Sequence, residues 1–109
     1  MKVNFSQTFP DFDGNPVMDD DPKRKEQPLS LGIVGTRALM GVNQETMKEP
    51  GEQKVKDHDL ARRIYQGGEV EITVEQAARL KARIAMFFGP IISGQAWPML
   101  DQSPPKTEE

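Results

Sequence analysis

The stretch from Thr73 to Pro90 constrains this chain most, because a helix start signal, an amphipathic run and a stop signal follow one another without a gap. Thr73-Val74-Glu75-Gln76 has capping-box spacing: the Thr73 hydroxyl accepts from the backbone N–H of Gln76, and the Gln76 amide reaches back. Ala77, Leu80, Ile84, Phe87 and Phe88 then recur at helical spacing, while Glu75, Arg79, Lys81 and Arg83 supply a solvated face. Gly89-Pro90 breaks or kinks the axis, since proline lacks the donor and clashes with the preceding turn, yet Pro90 also suits the first position of a new helix. That last helix is expected to turn Ile91, Ile92, Ala96, Trp97 and Leu100 inward, with Pro98 limiting its regularity.

Two further helices are legible upstream. Ser30 is placed to cap one, with Leu29 and Val34 spaced as a hydrophobic staple and Leu31, Val34 and Ala38 on one face. Gly32, Gly35 and Gly41 weaken that helix, and close packing on a neighbour is the expected reason for them. Residues 42–51 read as a loop. A second pattern runs from Glu52 to Gln66, with Leu60, Ala61, Ile64 and Tyr65 on one side, and Gly67-Gly68 stops it. Glu69-Val70-Glu71-Ile72 alternates as a short strand or extended link.

The ends are less regular. Val3, Phe5, Phe9, Phe12 and Val17 around the Asp13-Gly14-Asn15 turn suit an irregular N-terminal β-hairpin, kept to an edge by Pro10 and Pro16. Residues 19–28 offer nothing apolar to bury and read as an exposed, flexible connection. Residues 102–109 read as a disordered tail. The expectation is a single domain over residues 1–101, mainly α (α+β), with about four short helices around Leu60, Ile64, Leu80, Ile84, Phe87, Ile91 and Trp97. No fixed-period repeat or sustained heptad pattern is present.

Several chemistries fail on residue type or spacing. With no cysteine there is no disulfide, thiolate metal site or cysteine nucleophile, and His58, flanked by Asp57 and Asp59, is the only histidine and reads as a surface residue. Asp11-Phe12-Asp13-Gly14-Asn15 departs from a calcium loop, its glycine at the fourth position and Pro22 standing where the bidentate glutamate belongs. Gly32-Ile33-Val34-Gly35 matches neither phosphate-binding fingerprint, and neither Ser30 nor Ser93 lies in a nucleophile elbow. The Asp19–Asp21 run reads as hydrated charge. No catalytic residue, cofactor or metal is expected, and an enzyme with an unrecognised site stays as the last alternative.

Binding remains. The net charge is −3, and residues 61–100 are only slightly basic, far short of an autonomous nucleic-acid footprint. Arg62, Arg63, Arg79 and Arg83 are the candidate nucleic-acid contacts for that alternative. Phe88, Trp97 and Met99 are the candidate protein contacts, if the large apolar groups near Pro98 stay uncovered. The polar opening lacks the apolar stretch of an export signal and no segment has bilayer-spanning length, so the cytoplasm is the expected location and no membrane the expected partner.

Leu60-Ala61-Arg62-Arg63-Ile64-Tyr65, Glu69 to Gln76, and Gly89-Pro90-Ile91-Ile92-Ser93-Gly94-Gln95-Ala96-Trp97, with the opening Phe12-Asp13-Gly14-Asn15-Pro16 turn, resemble small uncharacterised proteins encoded by phages and bacterial prophages. The motifs are structural, so the resemblance implies a phage origin and a bacterial host cytoplasm but assigns no functional residue. Together with the residue reading it leads to a phage or prophage accessory protein acting as a non-catalytic protein-interaction module. The partner is expected to be a host or phage protein, with the oligomeric state open.

Overall fold

A computed structural model describes residues 1–24 and 26–101. The tail expected to be disordered, 102–109, lies outside the described residues. The order is β1 (Lys2–Asn4), a single 3-10 turn (Pro22–Arg24), α1 (Leu31–Met40), α2 (Gln44–Met47), α3 (Gly51–Ile64), β2 (Glu69–Glu71), α4 (Val74–Phe87) and α5 (Pro90–Leu100). The mainly helical expectation holds, with a two-stranded antiparallel sheet formed by the N-terminal strand.

The caps fall where the side-chain chemistry puts them. The Ser30 hydroxyl accepts from Ile33 N at 3.2 Å, and Thr73 and Gln76 close a full capping box. The 42–51 loop also contains α2, which Asn43 and Thr46 start with a reciprocal box. Phe88 and Gly89 are extended, so α4 and α5 are two helices and not one kinked rod.

The N-terminal β element is present, and its first strand also reaches across the chain. β1 pairs not with a strand inside 2–18 but with β2, in the register Lys2↔Glu71, Val3↔Val70, Asn4↔Glu69. Locally a short irregular hairpin closes the turn: Val17 N donates to Phe9 O and Asp11 N to Asn15 O, both at 2.7 Å, around a Pro10↔Pro16 bridge, and neither proline has an N–H to extend the ladder. The opening segment instead serves α1: Leu31 N donates to Gln7 O and Gly32 N to Phe5 O, both at 2.8 Å, satisfying first-turn donors that a helix leaves open.

The core joins Val3, Phe5 and Phe9 from this segment to Leu31, Val34, Ile64, Leu80, Ile84 and Leu100. The α1 glycines make α1 fit. A Cβ on Gly32 would lie 2.3 Å from Ile64 O, one on Gly35 would lie 2.8 Å from Ile64 Cδ1, and the Phe87 ring lies against Gly41. Close helix packing is therefore the reason for all three.

The 19–28 segment is largely exposed but not unanchored. Asp19 is buried, and its carboxylate accepts from Arg37 Nη1 and Nη2, both at 2.8 Å, and from Arg24 Nε at 3.0 Å. The reading of that aspartate run as hydrated charge fails at Asp19, because α1 brings Arg37 to it. The Arg37 bond, working against burial, holds the Asp19 carboxyl below its ordinary value.

Candidate functional site

Two constellations stand out, one buried and charged, the other exposed and apolar. In the first, Asp57 of α3 is buried on the same helical stripe as Leu60, Ala61 and Ile64. It accepts from Arg79 through Nε at 3.1 Å and Nη2 at 2.7 Å, and from Gln53 Nε2 at 3.0 Å. Arg79 Nη2 also donates to Glu49 at 2.8 Å, and this bond keeps the Glu49 carboxyl below its usual range. Arg83 Nη2 donates to Leu39 O at 3.0 Å and Gly41 O at 2.8 Å, so a guanidinium from α4 caps the C-terminal end of α1.

Arg83 was expected on the solvated face and is instead buried; it sits three residues beyond Leu80 and four before Phe87, at the margin of the inward stripe. The four candidate nucleic-acid contacts consequently do not form one free cationic face. Arg79 and Arg83 are matched by Glu49 and Asp57, while Arg62 and Arg63 are exposed on α3, with Arg63 donating to Glu71 O. The cluster pairs both arginines with Glu49 and Asp57 and braces α1, α3 and α4, while Arg83 Nε stays buried without a hydrogen-bond partner. His58 is exposed, and among the described residues no three His, Cys, Asp or Glu side chains gather as a metal site.

The second constellation is the outer side of α5. Its sequence, Pro90-Ile91-Ile92-Ser93-Gly94-Gln95-Ala96-Trp97-Pro98-Met99-Leu100, contains no charged residue. Ile92, Ala96 and Leu100, four apart, face the core. That phase turns Pro90, Ile91, Gly94, Trp97 and Pro98 outward, and all five are exposed. The expectation that Ile91 and Trp97 point inward is thus corrected: an i, i+4, i+8 contact leaves them off the inward stripe. Tyr65, grouped with the α3 core positions, is exposed as well.

Trp97 is 47% exposed but not loose. Its indole N–H donates to Lys81 O at 3.2 Å, and Lys81 Nζ stands 5.8 Å from the ring centroid. Phe88 and Met99 are half-buried against the core, so of the three candidate protein contacts Trp97 offers the most surface.

Phe12 was read from sequence only as one of the apolar residues around the opening turn. Its side chain is fully exposed at the tip of the N-terminal turn. The turn beneath it is well tied: Asp11 Oδ1 accepts from Asp13 N at 2.9 Å and Asn15 N at 3.0 Å, and Gly14 takes φ 86°, which glycine tolerates without strain. Gln95 Nε2 bonds Pro10 O at 2.8 Å and Ile91 O at 2.9 Å, fastening the turn to α5. Between them lies an open groove of about 690 Å³, bordered by Phe12, Pro90, Ile91, Gly94 and Gln95. The available signal was a phenylalanine flanked by turn-forming aspartates, a position where a ring has no neighbour to pack on.

Among the described residues no helix is long and apolar enough to cross a membrane. Compared with protein-family models, with curated proteins and with solved structures, the chain matches none.

Proposed function

We infer that this chain is a phage or prophage accessory protein that acts without catalysis, by docking a host or phage protein on the outer side of α5 in the bacterial cytoplasm. One observation carries the docking reading: α5 is uncharged and apolar on both its inward and outward faces, a pattern that belongs to helices covered on all sides, yet Pro90, Ile91, Gly94, Trp97 and Pro98 are uncovered. The groove beside Phe12 and the tethered Trp97 add aromatic anchors whose geometry is set in advance, which lowers the ordering cost of association. The origin rests on the resemblance of the Gly89–Trp97 segment and its companions to phage-encoded proteins.

The test is affinity capture from infected or lysogenic bacteria with the full chain and with Ile91→Glu and Trp97→Ser variants. Both positions are at the surface, and circular dichroism melts check that the variants fold. A defined protein retained by the parent chain and lost with both variants supports the reading. Identical capture by all three chains overturns it.

A further inference from the structure

We propose that the cleft between α1 and the C-terminal half of α3 binds a phosphate monoester carried on a flat ring, with the Arg62 guanidinium holding the phosphate and the Tyr65 side chain stacking on the ring. The site shares no residue with the groove beside Phe12, so it stands or falls apart from the docking reading.

The cleft measures about 400 Å³, and its polar lining contains no carboxylate. His58, Arg62, Tyr65 and Gln66 present donors on one wall, and Thr36 stands on the other, its hydroxyl bonded to Ala61 O at 3.4 Å. In a chain with 17 acidic side chains and a net charge of −3 that is a selective arrangement. The neighbouring clefts border Glu49 and Asp57, Asp57 and Glu75, or Asp59, and the groove beside Phe12 borders Asp11. Helical phase gathers the cluster: His58 and Arg62 are four apart and Tyr65, the C-cap, three further on, while Asp57 is turned inward to Arg79.

Arg62 is also the one arginine with no acceptor among the described residues. Arg24, Arg37, Arg63, Arg79 and Arg83 each donate to a carboxylate or a backbone carbonyl. The Arg62 fork is therefore open to a ligand, and a guanidinium meets phosphate oxygens in a two-bond geometry. The number of donors favours phosphate over carboxylate, because a phosphate monoester offers three strong acceptor oxygens and nearly two charges. Phosphate alone leaves most of the cleft unfilled. The remaining walls are the Tyr65 ring, the Met40 thioether and the Ala61 methyl group, which suit the face of a flat ring. Asp59, on the far side of Arg62, and the C-terminal end of α3 oppose an anion, whereas Lys54, one turn before His58, supports it. The balance gives a modest affinity, with Kd about 1 mM in low salt.

The lone histidine and lone tyrosine make the test direct, since NMR of the two side chains reads the cleft without competing signals. The full chain is titrated at low salt with adenosine 5′-monophosphate, phenyl phosphate, inorganic phosphate and adenosine. The first two shift both side-chain signals saturably at about 1 mM, and phosphate alone and adenosine alone each bind weaker by about tenfold or more. The tighter of the two ring phosphates identifies the source, a nucleotide or a phosphorylated phenol. Arg62→Ala weakens binding by about tenfold or more, whereas Lys56→Ala, which removes the same charge from a part of α3 outside the cleft, changes it by less than about twofold. Tyr65→Ala lowers the affinity for the ring phosphates to that for phosphate alone. All three positions are exposed, and circular dichroism melts check that the variants fold. No saturable shift up to about 20 mM, inorganic phosphate binding as tightly as its ring esters, or equal losses from Arg62→Ala and Lys56→Ala overturns the proposal.

Discussion

The carboxylate of Asp57 on α3 and the guanidinium of Arg83 on α4 approach to 3.3 Å, and their side chains are only 5% and 3% exposed. Two opposite charges held that far from water stabilise a fold only as a matched set, because each alone would be an uncompensated buried ion. Asp57→Asn is expected to lower unfolding free energy by about 3–5 kcal/mol. Urea titration followed by circular dichroism measures it, and a loss below about 1 kcal/mol would show that Glu49 alone balances both arginines.

Acid should reveal the outlying carboxylates. Asp19 and Glu49 are both held below their ordinary values of 3.8 and 4.5, chiefly by the Arg37 and Arg79 hydrogen bonds respectively. A carboxyl depressed in the folded state contributes stability that is full above its unfolded value and lost as pH falls through the folded one. Stability is therefore expected to hold from neutrality to about pH 5 and to fall progressively below about pH 4. Asp19→Asn should remove about 2–3 kcal/mol at pH 7 and flatten that acid limb. An unchanged pH profile in the variant would contradict the assignment.

Gly32 and Gly94 make a matched pair for a second experiment. At Gly32 an added methyl group would lie 2.3 Å from a backbone oxygen of Ile64, whereas at Gly94 it meets nothing within 4 Å. Gly32→Ala should destabilise by about 1–3 kcal/mol, since backbone must shift, and Gly94→Ala should stabilise by about 0.5–1 kcal/mol through helix propensity. Thermal melts at micromolar concentration read both, and equal signs would refute the contrast.

Thr73→Ala tests the start of α4. It removes the hydroxyl that accepts from Gln76 N at 3.0 Å, and about 1 kcal/mol of stability should go with it. Thr73→Ser, which keeps the acceptor, should recover most of the loss in the same melt.

Local grammar was legible and long-range partnership was not. Ser30, Thr73 and Gly89-Pro90 announce helix ends because capping and proline sterics act within a few residues. Asp57 was within reach of periodicity, sharing its stripe with Leu60, Ala61 and Ile64, but a charge at a core position is interpretable only once its arginines are known. Asp19 finds Arg37, and β1 finds β2, through the folded chain alone, whereas the turn at Asp13-Gly14 announces only its own local pairing. The phase of α5 was illegible for a different reason: a helix without a charged residue carries no mark for its outer side. Phe12 was read with the apolar residues of the opening segment because hydrophobicity predicts burial, but at the tip of a turn it has no neighbour to bury it.

The pairing of Lys2–Asn4 with Glu69–Glu71 bears on how the molecule is made. During vectorial synthesis the first strand leaves the ribosome with its edge unmatched and stays so until α3 and the Gly67-Gly68 bend have followed it. Closing so long a loop is slow compared with local helix growth, so the nascent N-terminal segment, with Val3, Phe5 and Phe9 still bare, is the stage most exposed to chaperones and to misassembly.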